Sequence, residues 1–374
     1  MSRLLIMMVA SLVFAAFIDA RDEADIRRWN ERKEIRGTLL LGIALALFSG
    51  MRVWGNDTVT YLQVYDGTPL LHEINSENTA PLAEGIGFFY LTSLIKTLNF
   101  SSQDYLLFYA LLTTIPYTLF VHRFSVSMKM GVFLMFATGM YTFSLAAIKQ
   151  TMATGICLMA LPLALDRKWF KFFLMILLAA TFHPYSVIYL VVPFMMFKPW
   201  TIRTLFYVVL ALAVGFYLDS LLGTVLDITT LMGAVYDETT FEGEGVNIFR
   251  IAVNAVPLLL AAVYGKVLFQ ESTQEEDLMF NLAMLNALIM FVGLFGTANY
   301  FARLANYFLP AQVIVLPWLL RKPAPVDQAW LKPACVAGYM GYFYYEYGIL
   351  HPFNGEYSQI SVFEYLEDLL GRIL

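Results

Sequence analysis

Charge is what this chain has least of. Only 14% of its 374 residues are Asp, Glu, Lys or Arg, while 59% are apolar, where a soluble domain carries roughly 25% charged and 45–50% apolar. That deficit excludes an ordinary soluble protein. No block of Lys or Arg is present that could follow a phosphodiester backbone, and the formal charge is −5, so nucleic-acid binding has no electrostatic basis. Cysteine is almost missing. Cys157 and Cys335 each stand in an apolar run, too isolated for a disulfide framework or a thiolate metal site. No long polar stretch is available to form an independent domain, whereas apolar runs recur from Leu4 to Leu350. The expected fold is all-α, a single polytopic membrane domain over residues 1–374.

A helix crosses the hydrocarbon layer with about 20 apolar residues, fewer when its flanks snorkel. Twelve runs serve as candidate spans: 4–19, 37–51, 104–121, 130–148, 151–165, 170–183, 185–197, 204–222, 251–269, 278–296, 304–320 and 333–350. The first follows Met1-Ser2-Arg3 and could pass for a signal peptide, but in a chain that stays membrane-bound it reads as the first span. Lys and Arg are retained on the cytoplasmic side. Segment 21–36 holds Arg21, Arg27, Arg28, Arg32, Lys33 and Arg36 and is placed inside, and following the spans from there puts 17 of the 24 cations inside. This path requires 82–98 not to cross, making it an interfacial or re-entrant helix within an outer segment, 52–103. A second outer element is the acidic loop 223–250, with Asp237, Glu238, Glu242 and Glu244. The tail 358–374 gathers Phe363, Leu366, Leu370 and Ile373 on one stripe, the pattern of an interfacial amphipathic helix.

Arg52, Lys149, Arg250 and Arg303 run against the charge bias, because each falls at the outer end of a span. Such a cation needs a partner or a job. Pairing with acids or lipid phosphate is the plain reading of any one of them. Four on one face, joined there by 17 of the 29 acids, point to a site for a polyanionic headgroup. At the exit of the second span stands Arg52-Val-Trp-Gly-Asn-Asp57-Thr58-Val-Thr-Tyr61, where Asp57 either caps a short helix or presents a carboxylate one turn from Tyr61. Further on come Glu84-Gly85-Ile86-Gly87-Phe88, then Lys149-Gln150-Thr151-Met152-Ala153 at one hairpin tip and Phe182-His183-Pro184-Tyr185-Ser186 at the next.

The order R-x-x-G-x-D-T-x-x-Y, E-G-x-G-F, an R-Q-x-x-A hairpin, F-H-x-S and a late R-x-x-x-Y-F resembles the EpsG/Wzy-like polysaccharide polymerases. Here it is carried by Arg52, Gly55, Asp57, Thr58 and Tyr61; Glu84, Gly85, Gly87 and Phe88; Gln150 and Ala153; Phe182, His183 and Ser186; and Arg303, Tyr307 and Phe308. Lys149 stands where the family usually has arginine, keeping the charge but losing the planar bidentate fork. The resemblance implies a GT-C-like outer-facing site that joins oligosaccharide repeat units carried on undecaprenyl pyrophosphate. Lipid-linked oligosaccharides and membrane lipids are the implied partners, with a flippase and a chain-length regulator beside them. The departing pyrophosphate gains negative charge and needs fixed cations, the role expected of Arg52, Lys149, Arg250 and Arg303. No outward D-x-D pair occurs, Glu242-Gly-Glu244 being the nearest match, so metal-independent transfer with no cofactor is expected. Asp57, Glu84 and His183 are the candidate bases, Asp57 first. Tyr61, Gln150 and Tyr307 are candidates for orienting the sugar. Another lipid-linked glycosyltransferase or ligase would share this chemistry. A transporter would place charges at the bilayer midplane and often show internal repeats, which this sequence does not display.

Overall fold

The computed structural model describes residues 1–29, 35–80, 85–217, 227, 245–296, 298–351 and 358–373. Glu84 lies outside that set, as do Arg32, Lys33 and most of the acidic loop including Asp237, Glu238, Glu242 and Glu244, and the Arg27 and Arg28 side chains are not described either. The described residues are overwhelmingly helical. In chain order they form α1 (Ser2–Trp29), α2 (Ile35–Gly50), a short strand β1 (Arg52–Trp54), α3 (Thr58–Gly67), α4 (Ile86–Thr97), α5 (Ser102–Phe124), α6 (Met128–Ala137), α7 (Met140–Ala146), α8 (Ile148–Leu165) and α9 (Trp169–Phe182). A 3-10 segment over Pro184–Met195 follows, then α10 (Ile202–Phe216), α11 (Ile248–Phe269), α12 (Gln274–Val292), α13 (Ala298–Asn306), α14 (Leu309–Leu319) and α15 (Pro325–Tyr344). The last helix runs into a π-helical turn, Tyr345–Leu350, before β2 (Ser358–Gln359) and α16 (Val362–Ile373).

Four described helices are long and apolar enough to cross a membrane, at Ser2–Asp22, Ser102–Phe124, Ile148–Leu165 and Ile248–Gly265, and seven shorter apolar helices accompany them. This is a membrane protein, but not one of twelve uninterrupted spans. Run 130–148 is divided at Thr138–Gly139 into α6 and α7, run 304–320 is divided at Tyr307–Phe308 into α13 and α14, and run 185–197 is 3-10 rather than α-helical. Average hydropathy cannot see these breaks, because one or two less apolar residues are lost in a window of strongly apolar neighbours. Local chemistry explains them. Gly139 takes φ +85, which only glycine adopts cheaply, and a Cβ there would collide with the Tyr347 hydroxyl. Pro310 starts α14 at a position where a missing N–H costs nothing.

The bundle is arranged around α5 and α8, in which 61% and 67% of the spanning window is buried, against 28% in α1 and α11. The peripheral helices point large apolar side chains outward, among them Leu177, Val209, Phe216 and Val263, where lipid covers them. Between helices in lipid the apolar effect is weak, so packing and hydrogen bonds to freed backbone groups carry the association. Pro257 inside α11 cannot donate to the carbonyl four residues back. That carbonyl, Val253 O, instead accepts from Gln312 Nε2 at 2.6 Å and from the Tyr339 hydroxyl at 2.7 Å. At the α13–α14 break, Ala305 O accepts from Asn286 Nδ2 at 2.8 Å and Tyr307 O from the Tyr189 hydroxyl at 2.8 Å. Asn281 Nδ2 holds Met195 O and Phe197 O, both at 2.8 Å, where the 3-10 segment ends. Each of these buried polar side chains answers an irregularity of the backbone.

At the end carrying β1, the tail folds back. β2 pairs antiparallel with β1, Arg52 opposite Gln359 and Trp54 opposite Ser358, and Ile360 N donates to Met51 O at 3.0 Å. α16 then crosses to the start of α5, where the capping box of Ser101 and Asp104 also receives the Tyr365 hydroxyl and Arg372 Nη1, each at 2.5 Å. The stripe expected in the tail is exposed, Phe363 at 84% and Leu370 at 55%.

Candidate functional site

Irregular backbone deep in a membrane protein persists only where it is buried in protein or lines a cavity. Here the breaks converge on one. A cleft of about 660 Å³ is walled by the turn Asn56–Asp57, the α6–α7 break at Thr138–Gly139, the first turns of α11 at Arg250 and Asn254, the α13–α14 break from Arg303 to Leu309, and the π-helical turn with Glu346, Tyr347 and His351. Its volume falls in the range of small-ligand sites, roughly 300–1,000 Å³.

Asp57 occupies the position before α3 yet makes no side-chain capping bond. Asn56, in a left-handed conformation at φ +48, turns the chain so that both residues line the cleft. The carboxylate is therefore not spent on closing a helix. In the same cleft, Arg250 forms a two-pronged pair with Glu346, Nε to Oε2 at 3.2 Å and Nη2 to Oε1, and His351 Nε2 stands 3.7 Å from Oε1. The Glu346 side chain is 5% exposed and that of Arg250 25%. Arg303 also lines the cleft, and among the described residues no carboxylate lies within ion-pair distance of it. Two guanidinium groups thus share the cavity, one matched by an acid and one, among the described residues, not.

A second layer holds these walls in place. Lys149 sets its ammonium 5.0 Å from the centre of the Phe88 ring, and Phe88 in turn stacks on Tyr109 at 4.6 Å and meets Tyr61 edge-on at 6.3 Å. The Tyr61 hydroxyl lies against the backbone of Ile148 and Lys149, and burial raises the phenol above its ordinary value, with the Asp57 charge adding to the shift. Gly85, at φ +85, and Gly87 leave no room for a Cβ against Thr181 and Phe182. The glycines of that motif thus dock α4 on the last turn of α9, beside His183. His183 Nδ1 bonds the Tyr307 hydroxyl at 2.5 Å, and both Lys149 and Arg303 lie within its electrostatic range. Gln150 commits its amide to Arg303 O at 2.6 Å.

The structure thus sorts the residues singled out from the sequence. Asp57, Arg250 and Arg303 stand on the wall of one cleft. Lys149, Tyr61, Gln150, His183 and Tyr307 gather behind it, Tyr307 fully buried and Gln150 serving a backbone carbonyl rather than open space. Arg52 is 1% exposed and does not line the cleft; its Nε donates to Thr58 Oγ1 at 2.8 Å and its Nη1 to Ser49 O, fixing the corner between α2 and α3. Glu346 and His351 were not anticipated. A signal existed for Glu346, since an ionisable residue inside an apolar run such as 333–350 is by default a functional candidate.

No curated protein and no solved structure matches this chain. The profile of the EpsG family matches residues 38–359, from the second helix to the strand that closes on Arg52, and so spans every wall of the cleft. That match points to a polysaccharide-polymerase type of function for this membrane protein. On the extent of the match and the motifs it encloses, the chain belongs to the EpsG family.

Proposed function

We propose that the cleft joins oligosaccharide repeat units carried on undecaprenyl pyrophosphate, at the outer face of a bacterial cytoplasmic membrane. The observation that carries this reading is the placement of a carboxylate, Asp57, and two guanidinium groups, Arg250 and Arg303, on the walls of one cavity. In the transfer, the bond from the anomeric carbon to the pyrophosphate oxygen breaks and a bond to the acceptor hydroxyl oxygen forms. The hydroxyl proton passes to Asp57, and the lipid pyrophosphate departs carrying one more negative charge. Arg303 receives that charge with Lys149 behind it, in a site where fixed cations are worth more than in water. Arg52 supports the reading indirectly, by fixing the corner from which Asp57 projects. Lipid-linked oligosaccharides are the substrate, and a flippase and a chain-length regulator are natural partners for such an enzyme.

The test is turnover of purified lipid-linked repeat units by Asp57→Asn, with His183→Gln in parallel. The asparagine keeps size and polarity but has no basic lone pair at neutral pH, so the rate falls by roughly 10²-fold or more with thermal stability unchanged. Near-normal polymerisation by Asp57→Asn would remove this residue as the base. A product of one added unit rather than a ladder would replace the polymerase reading with a ligase.

A further inference from the structure

The cleft contains an arginine that is already paired. Glu346 engages Nε and Nη2 of Arg250, which leaves three of the five guanidinium donors, both on Nη1 and the second on Nη2, for a ligand in the cleft. Glu346 is held on the π-helical turn Tyr345–Leu350, a distortion frequent at functional sites. The acid is buried, and a buried carboxylate stripped of its partner carries a large penalty. An incoming anion must therefore share Arg250 with Glu346 or displace it.

We infer that Glu346 is a positioning residue and internal competitor, which holds Arg250 in register and withholds its full charge until the lipid pyrophosphate gains its extra negative charge. The inference rests on the proposed transfer reaction. Bound substrate carries two phosphodiester-type charges, and the leaving group carries a third only as the anomeric bond breaks. An arginine satisfied by Glu346 contributes little to holding the substrate and more to holding the departing group. Only such a difference between ground and transition state raises turnover. Arg303, with no competing acid among the described residues, binds both states. His351, 3.7 Å from the same carboxylate oxygen and exposed to the cleft, offers Glu346 a second partner when Arg250 turns toward phosphate.

The experiment titrates inorganic pyrophosphate into the purified, detergent-solubilised full chain and measures turnover on lipid-linked units for the same variants. Glu346→Gln removes the competitor's charge and is expected to bind pyrophosphate on the order of 10-fold more tightly, while its kcat falls. Tighter binding with slower turnover is a pair of effects that a purely structural ion pair does not produce. Unchanged or weaker pyrophosphate binding in folded Glu346→Gln overturns the inference. Glu346→Asp keeps the charge but draws the carboxylate back by one methylene, so its pyrophosphate affinity stays near that of the parent and its kcat falls; unaltered turnover there overturns the inference even if Glu346→Gln does not fold. Arg303→Ala separates the two levels of the proposal. If it leaves pyrophosphate binding intact, the cleft is not the pyrophosphate site and both readings fall. If it weakens binding while Glu346→Gln changes nothing, only the role of Glu346 falls.

Discussion

Two arginine–carboxylate pairs stand at the same end of this molecule, and they are built alike: Glu346 and Asp104 are 5% and 7% exposed, and their partners Arg250 and Arg372 are 25% and 27% exposed. Their surroundings differ. Asp104 is saturated, taking the Ser101 backbone N–H at 2.7 Å and hydroxyl at 2.8 Å, the Tyr365 hydroxyl and Arg372. Glu346 has Arg250, the Tyr342 hydroxyl and, at longer range, His351, and it lines the cleft while Asp104 does not. A carboxylate whose acceptor sites are filled by its own chain is a latch. One with fewer donors of its own, beside an open cleft, can exchange its cation. Burial and pairing alone do not distinguish a structural ion pair from a working one; the number of competing donors and access to ligand do.

The largest effect that sharpens this contrast comes from Arg250→Ala combined with Arg303→Ala. Polymer formation by purified protein is expected to fall by roughly 10³-fold or more with helical content retained, and full activity would abolish the distinction. Asp104→Ala should do the opposite. Loss of four contacts to one buried carboxylate lowers stability by about 2–3 kcal/mol, seen as an earlier thermal transition in detergent, while the rate per folded molecule stays within a factor of two or three. Arg372→Ala removes only a partly solvated member of the latch and should cost about 1 kcal/mol or less in the same melt. Smallest of all is Lys149→Arg, which preserves the charge behind the cleft; turnover close to the parent's is expected, and a collapse would show that the flat Phe88 face accepts only an ammonium.

Much of this was legible beforehand, for physical reasons that also mark where legibility stopped. Spans are announced by length and hydropathy, so α5, α8 and α11 lie where the runs 104–121, 151–165 and 251–269 placed them. The outward cations, detectable because they oppose the charge bias, led to two of the cleft's polar groups, and Asp57 came from the motif between them. What escaped notice depends on single residues or on distant pairs. The break at Gly139 is one dihedral angle inside an apolar run. The exchange of Val253 O from Pro257 to Gln312 and Tyr339 joins three helices. Gln150 and Arg52 carried the chemistry of a ligand site, but their bonds go to backbone and to Thr58, which no spacing rule reports. The pairing of β1 with β2 involves two or three residues separated by some three hundred positions, too short to leave any alternation.

That pairing has a topological consequence. Strands that exchange backbone hydrogen bonds must occupy the same side of a bilayer at the same depth, so the chain between Trp54 and Ser358 crosses the membrane an even number of times, whatever the individual crossings are. The ten spans expected between them satisfy this parity, and an eleventh at 82–98 would violate it. The C-terminal helix then emerges in the compartment that Asp57 faces. A reporter fused after the last residue, fluorescent only in the cytoplasm or enzymatically active only outside it, therefore reads the address of the cleft.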